Sequence, residues 1–108
     1  MIDLLVDHLD EIAHLCRRYR VRRLDVFGSA ATGAFDPGTS DVDFVVDLGE
    51  YDDDVHIRYL DLISNLEALL GFPVSMITRP SIHNPYLRVS IEEEQELVYE
   101  AGDRQAAA

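Results

Sequence analysis

The chain has 108 residues, of which 47% are hydrophobic, and a formal net charge of −12. That length and composition are typical of one globular domain with a modest core. The strong negative charge argues against nucleic acid as a partner, and so against a templated polymerase. Because Cys16 is the single cysteine and no signal peptide or long apolar run is present, we expect a cytoplasmic protein without a disulfide or a membrane span.

The first predicted element is an amphipathic helix over residues 2–20. Apolar side chains recur there at helical spacing, and Cys16 lies on that stripe, which predicts a core residue rather than a nucleophile. Five arginines lie between Arg17 and Arg23, at the end of the helix and in the following turn. Their positive charge either complements the helix C-terminus or contacts a triphosphate or a partner protein.

A strand and a turn of small residues follow this helix. Residues 24–27, with the sequence Leu-Asp-Val-Phe, predict a short strand that ends at Gly28. Gly28 permits close approach of a ligand to the backbone, and a strand-to-helix turn at Ser29 would present free amides to an anion. Residues 36–39, with the sequence Asp-Pro-Gly-Thr, have the composition of a turn.

The second predicted strand, residues 41–48, begins with two carboxylates. Asp41 and Asp43 are two positions apart, so their side chains share one face of the strand, roughly 6.6 Å apart along it. Proteins bind Mg²⁺ through one or two carboxylates together with substrate phosphates. An anion-binding turn beside such a pair predicts chemistry on a nucleoside triphosphate.

Gly-Ser and Asp-x-Asp also occur in proteins that bind no nucleotide. Either pattern alone is more often structural, because Gly-Ser is common in turns and Asp-x-Asp is common at solvated strand starts. Haloacid-dehalogenase-type phosphatases also use Asp-x-Asp, but theirs follows an apolar strand, whereas Asp41 and Asp43 precede one. An EF-hand loop is excluded, because it requires a longer acidic run with a glycine and a distal glutamate.

The remaining elements predict a single domain over residues 1–100 that combines helices and strands. They are an acidic loop at 50–54, a helix at 55–70 stopped by Gly71, a strand at 72–78, a helix begun by Asn84 and Pro85, a short strand at 96–99 and a flexible tail at 101–108. The acidic loop suits either a metal ion or, more commonly, plain solvation. We therefore predict the α+β class, with helices packed against a small mixed β-sheet.

Residues 28–43 resemble the nucleotidyltransferase superfamily that includes DNA polymerase beta, and in particular its small minimal nucleotidyltransferases (MNT). The family motif is Gly-Ser followed by Asp-x-Asp, and here eleven residues separate Ser29 from Asp41. Thr32 stands where the longer MNT pattern, G-S-x-A-R-G…S-D-x-D, has arginine. The rest of that pattern is met by Gly28, Ser29, Ala31, Gly33, Ser40, Asp41 and Asp43.

The resemblance implies a nucleotidyltransferase fold and a set of site residues. Asp41 and Asp43 would be the catalytic residues and the ligands of Mg²⁺. Gly28, Ser29 and Ser40 would bind ATP. The resemblance also implies transfer of AMP from ATP to a hydroxyl of a partner protein, in the role of an antitoxin that acts on a HEPN toxin.

One departure from the family pattern leaves a second function open. Family members often carry a third carboxylate, a metal ligand and base, on the following strand, and Ser75 stands at that position. The alternative is therefore a catalytically impaired antitoxin of the same fold, which neutralises a HEPN ribonuclease by binding alone. The sequence leaves the acceptor group and the oligomeric state open.

Overall fold

A four-stranded β-sheet forms the centre of the protein in the computed structural model, which describes residues 1–102. Most of the predicted flexible tail, residues 103–108, lies outside the described residues. The elements in chain order are helix α1 (Asp3–Val6), helix α2 (Leu9–Arg18), strand β1 (Arg23–Phe27), helix α3 (Ser29–Thr32), strand β2 (Val42–Asp47), helix α4 (Val55–Leu70), strand β3 (Val74–Thr78), a 3₁₀ turn (Arg79–Ser81), helix α5 (Pro85–Glu94) and strand β4 (Glu96–Glu100). None of these helices is long and apolar enough to cross a membrane.

The sheet is mixed, with the strand order β3-β2-β1-β4. Strand β1 runs antiparallel to both β2 and β4, whereas β2 and β3 are parallel. A parallel pair requires a long crossover connection, and the 16 residues of α4 supply it between these two strands. The predicted α+β class, with a small mixed sheet and packed helices, is confirmed.

Alternation along the strands gives the sheet two different faces. One face carries Leu24, Phe44 and other apolar side chains that pack with α1, α2 and α4 into the main core. The opposite face carries Val45, which packs with Ile82 and with Ile91 of α5. Helix α5 and the segment that carries Ile82 therefore lie over this second face.

The predicted single helix over residues 2–20 is wrong, because the chain there forms α1 and α2 with a break at His8. The His8 amide donates to the carbonyl of Leu5 at 3.0 Å, and His8 Nδ1 lies 2.8 Å from the Leu4 carbonyl oxygen that a helical amide would use. A side chain thus takes the place of a backbone donor and ends α1. Leu5 and Cys16 are nevertheless both buried in the main core, as the apolar stripe predicts.

Local signals place the later helices correctly. Helix α4 spans the predicted residues 55–70, and Gly71 takes the left-handed conformation that ends it, at φ 77°. Helix α5 begins after Asn84, whose Oδ1 accepts hydrogen bonds from the amides of Tyr86 at 2.8 Å and Leu87 at 3.3 Å. The strands predicted at 24–27, 41–48, 72–78 and 96–99 are β1 to β4, with ends that differ by one or two residues.

Candidate active site

The carboxylate pair, Asp41 and Asp43, lies at the end of the sheet where β2 begins. Asp43 is the second residue of β2, and its backbone pairs with Phe27 at the end of β1 and with Ser75 in β3. Asp41 precedes the strand by one residue and is exposed, whereas Asp43 is partly buried. Three neighbouring strands therefore meet at this pair.

Within residues 1–102, the carboxylate pair has no basic side chain as an ion-pair partner. Burial raises the pKa of Asp43 above its ordinary value, and the charges of Asp41 and Glu94 raise it further. None of the ion pairs within residues 1–102 involves Asp41 or Asp43. A divalent cation would relieve this repulsion, so the donor set suits Mg²⁺.

The protein could supply only part of the coordination of such an ion. In the described part of the chain, no group of three or more His, Cys, Asp or Glu side chains could hold a metal ion. Mg²⁺ sites of nucleotide enzymes commonly use one or two carboxylates and take their other ligands from phosphates and water. The carboxylate pair fits that kind of site and not a closed protein cage.

The glycine turn, residues 28–33, brings the backbone close to the carboxylate pair. Gly28 has φ 68° and ψ −151°, a combination that essentially only glycine adopts. A Cβ at this position would lie 2.7 Å from Oδ2 of Asp43, which is closer than such atoms can approach. Position 28 therefore requires glycine for two reasons, its backbone angles and its contact with Asp43.

The other two residues predicted to bind nucleotide differ in their surroundings. Ser29 is the first residue of α3 and is partly exposed next to Gly28. Ser40 closes the turn predicted at residues 36–39, because its Oγ accepts a hydrogen bond from the Asp36 amide at 3.0 Å. Its own amide donates to the Asp36 carbonyl at 2.8 Å. The Ser40 side chain thus shapes the approach to β2.

Ser75 faces the carboxylate pair, as strand alternation predicts. Its Oγ donates a hydrogen bond to Oδ2 of Asp41 at 3.3 Å, and its backbone pairs with that of Asp43. Val74 and Met76, on either side of it, belong to the main core. A hydroxyl group therefore occupies the place where the family pattern leads one to expect a third carboxylate.

Glu94 is a site residue that the sequence reasoning missed. It is the last residue of α5, and its Oε1 accepts a hydrogen bond from the Gly28 amide at 3.2 Å. In the sequence it is one of three consecutive glutamates, so no local pattern distinguishes it from its neighbours. Only the packing of α5 against the sheet brings it to the glycine turn.

Other charged residues of β1 and β2 lie away from the carboxylate pair. Asp47 is at the far end of β2, roughly 13 Å from Asp43 along the strand, and pairs with Arg23 in the sheet. The Arg23 guanidinium donates to both oxygens of buried Asp25, at 2.7 and 3.0 Å. Since Arg23 lies at the end of β1 opposite to Gly28, the structure does not place it as a triphosphate contact.

The acidic loop at residues 50–54 surrounds an arginine. Arg58 is 5% exposed and donates hydrogen bonds to backbone carbonyls, including that of Glu50 at 2.6 Å. Hydrogen bonding with Asp52 and then with Arg20 lowers the pKa of Asp54 to about 2. Arg20 and Arg58 each form ion pairs with Asp52 and Asp54, so the fold itself neutralises these two carboxylates of the loop.

A separate apolar cavity of about 360 Å³ lies near the other end of β3. Its lining residues are Leu48, Tyr51, Val55, His56, Tyr59, Met76, Ile77, Thr78 and Ser81. A large apolar cavity is the usual first candidate for a ligand site, but no carboxylate of residues 1–102 lines this one. The carboxylate pair is therefore the better candidate for chemistry on phosphates.

Fold and site together point to one class of protein, and comparison with known families identifies it. The family described as the nucleotidyltransferase domain matches residues 10–98, a range that includes the glycine turn and the carboxylate pair. This chain belongs to that family.

Individual relatives agree with this assignment. A protein of Methanocaldococcus jannaschii named "putative protein adenylyltransferase" is 43% identical over 82 residues, which cover 76% of this chain and 79% of that protein. A structure described as "putative minimal nucleotidyltransferase" has a TM-score of 0.73 at 29% identity and covers 87% of this chain and 92% of its own. A chain in the structure of tri-AMPylated Shewanella oneidensis HEPN toxin with MNT antitoxin shares the fold, with a TM-score of 0.63 at 16% identity over 95% of this chain and 78% of that one.

Proposed function

We propose that this protein transfers AMP from ATP, with Mg²⁺, to a hydroxyl group of a partner protein, and that the partner is a HEPN toxin. The observation that carries the proposal is the carboxylate pair, Asp41 and Asp43, which lies beside Gly28 and has no basic partner in the described part of the chain. Family membership supports nucleotidyl transfer. The names of the adenylyltransferase relative and of the HEPN–MNT complex support AMP as the group and a protein as the acceptor.

Each part of the site has a proposed role. Asp41 and Asp43 would hold Mg²⁺, while Gly28 and Ser29 would hold the outer phosphates through the backbone and the hydroxyl. Ser40 would contribute through the turn that sets the entry to β2. When bound, the ion would neutralise charge that develops on the phosphates.

The proposed reaction follows from that arrangement. The oxygen of the acceptor hydroxyl attacks the α-phosphorus, the bond from that phosphorus to the bridging oxygen breaks, and pyrophosphate leaves. The glycine turn and the carboxylate pair hold the nucleotide from two sides, which orients it for in-line attack. The hydroxyl must also lose its proton, which passes to solvent water because the Ser75 side chain cannot accept it as a carboxylate would.

The hydroxyl of Ser75 favours a second candidate function. A general base typically contributes about 10²–10⁴-fold to a rate, so transfer should be slow without a carboxylate at this position. A nucleotidyltransferase fold with weak or no transfer would still be able to neutralise a HEPN ribonuclease by contact. The net charge of −12 suits a basic partner in either case, and we place both functions in the cytoplasm.

Transfer of label from ATP labelled at the α-phosphate to the product of the neighbouring gene tests the main proposal. Asp41→Asn combined with Asp43→Asn should abolish this transfer and also the Mg²⁺-dependent binding of ATP in calorimetry. Asp53→Asn combined with Asp61→Asn is the matched control, because both residues are exposed and the change in charge is the same. Equal ATP affinity in the two double variants would refute the proposed site.

Substitution of Ser75 separates the two candidate functions. Ser75→Asp should increase the initial rate of transfer to the partner at saturating Mg²⁺. Ser75→Asn should not, because asparagine has the size of aspartate but no charge. Fast transfer by the wild type that neither variant increases would show that Ser75 is no handicap. A stable complex with the partner on gel filtration, with no transfer even by Ser75→Asp, would support neutralisation by binding alone.

A further inference from the structure

Glu94 places a negative charge where the proposed function requires an anion to bind. Its Oε1 accepts a hydrogen bond from the Gly28 amide at 3.2 Å. Gly28 is also the residue whose backbone lies against Asp43. A carboxylate oxygen and a phosphate oxygen make the same kind of charge-assisted hydrogen bond with a backbone amide.

The packing of α5 holds Glu94 at this position. Ile91, one turn earlier, is buried against the second face of the sheet. Gln95 follows Glu94 directly, and its Oε1 accepts a hydrogen bond from Nη2 of Arg79 at 3.1 Å. The same nitrogen of Arg79 donates to the buried carboxylate of Asp25 at 3.3 Å. The end of α5 is therefore fixed on both sides of Glu94.

The helix itself does not favour a carboxylate at this position. The C-terminal end of a helix carries partial negative charge, so glutamates in the last turn of α5 are unfavourable for the helix. Glu94 also adds its charge to that of the carboxylate pair, whose members already repel each other. The hydrogen bond from the Gly28 amide offsets part of this unfavourable charge.

We propose that Glu94 acts as an internal anion on the glycine turn, which the triphosphate of ATP must displace. The inference rests on the proposed function, because it requires the glycine turn to hold phosphate. Without nucleotide, the carboxylate satisfies the Gly28 amide. With nucleotide, two negative groups compete for one donor, so Glu94 lowers the affinity of the site for ATP.

Calorimetric titration of three variants of the full chain with ATP and Mg²⁺ tests this. Glu94→Gln removes the charge and should tighten binding roughly fivefold, the factor expected for a like charge about 4 Å away in a solvated site. Glu94→Ala also frees the amide and should tighten binding at least as much. Glu93→Gln makes the same change in net charge at the neighbouring exposed residue, and should stay within about twofold of wild type.

The outcomes distinguish this inference from the function on which it rests. Unchanged or weaker binding of ATP by both Glu94 variants would overturn the inference. A gain in ATP affinity in Glu93→Gln equal to that in Glu94→Gln would also overturn it. If the Asp41 and Asp43 double variant no longer binds ATP while Glu94→Gln binds ATP no more tightly than wild type, only the inference fails. If wild type and every variant fail to bind ATP, the proposed function fails with it. Urea unfolding should show all variants to be folded, with Glu94→Gln at least as stable as wild type.

Discussion

Replacement of Gly28 by alanine tests the geometry of the glycine turn without altering any charge. A residue with a Cβ at φ 68° and ψ −151° is strained by roughly 1–3 kcal/mol. The Cβ would also lie 2.7 Å from Oδ2 of Asp43, so either the carboxylate or the turn must move. We expect Gly28→Ala to lower the free energy of unfolding by about 2–4 kcal/mol, a large share of the roughly 5–15 kcal/mol of a small domain.

Gly71→Ala provides the matched control for this prediction. Gly71 has φ 77°, but within residues 1–102 its Cβ would meet no atom within 4 Å beyond those of its own chain neighbours. The left-handed conformation alone costs about 1–2 kcal/mol. Urea unfolding should therefore separate the two variants by about 1 kcal/mol or more, roughly 4–8 °C in Tm. Binding of ATP with Mg²⁺ should be lost only in Gly28→Ala, because only there must Asp43 or the glycine turn itself move.

Equal losses of stability in Gly28→Ala and Gly71→Ala, together with normal ATP binding by Gly28→Ala, would refute the predicted contact. That result would mean that the glycine turn does not approach Asp43 in solution. A loss of ATP binding without a difference in stability would instead place Gly28 at the nucleotide and exclude the close contact as the source of strain.

Charge and burial elsewhere give three more expectations. Burial, with the charges of Asp41 and Glu94, raises the pKa of Asp43, so the wild type loses stability as pH rises through that pKa. Asp43→Asn should therefore raise Tm above that of the wild type at pH 7 but not at pH 3. An equal difference in Tm at both pH values would contradict this. Arg58→Met removes hydrogen bonds to three backbone carbonyl oxygens and should lower the free energy of unfolding in urea by about 2–4 kcal/mol, whereas a loss below about 1 kcal/mol would speak against the network. Burial raises the pKa of the Cys16 thiol to about 12, so mass spectrometry should find iodoacetamide adducts only after unfolding, and rapid labelling of the folded chain would disprove its burial.

Elements with local signals could be predicted from the sequence. Gly71 after an apolar stripe marked the end of α4, and Asn84 before a proline marked the start of α5. Strand alternation likewise predicted that Ser75 faces the carboxylates and that its neighbours enter the core. The break at His8 was missed, because it depends on one side-chain hydrogen bond that leaves the apolar spacing unchanged.

The sequence by itself determined the centre of the candidate site. Gly28, Asp41 and Asp43 lie within 16 consecutive positions, and the intervening turn and strand place them together through local geometry. Nothing in that stretch predicts which charged residues from distant parts of the chain lie close to these three.

Only the tertiary structure decided that Glu94 lies at the glycine turn. Glu94 is 66 residues after Gly28, yet it contacts its amide. Helix α5 and β4 return to the edge of β1, and a contact made by such a return depends on the strand order and not on any pattern near either residue.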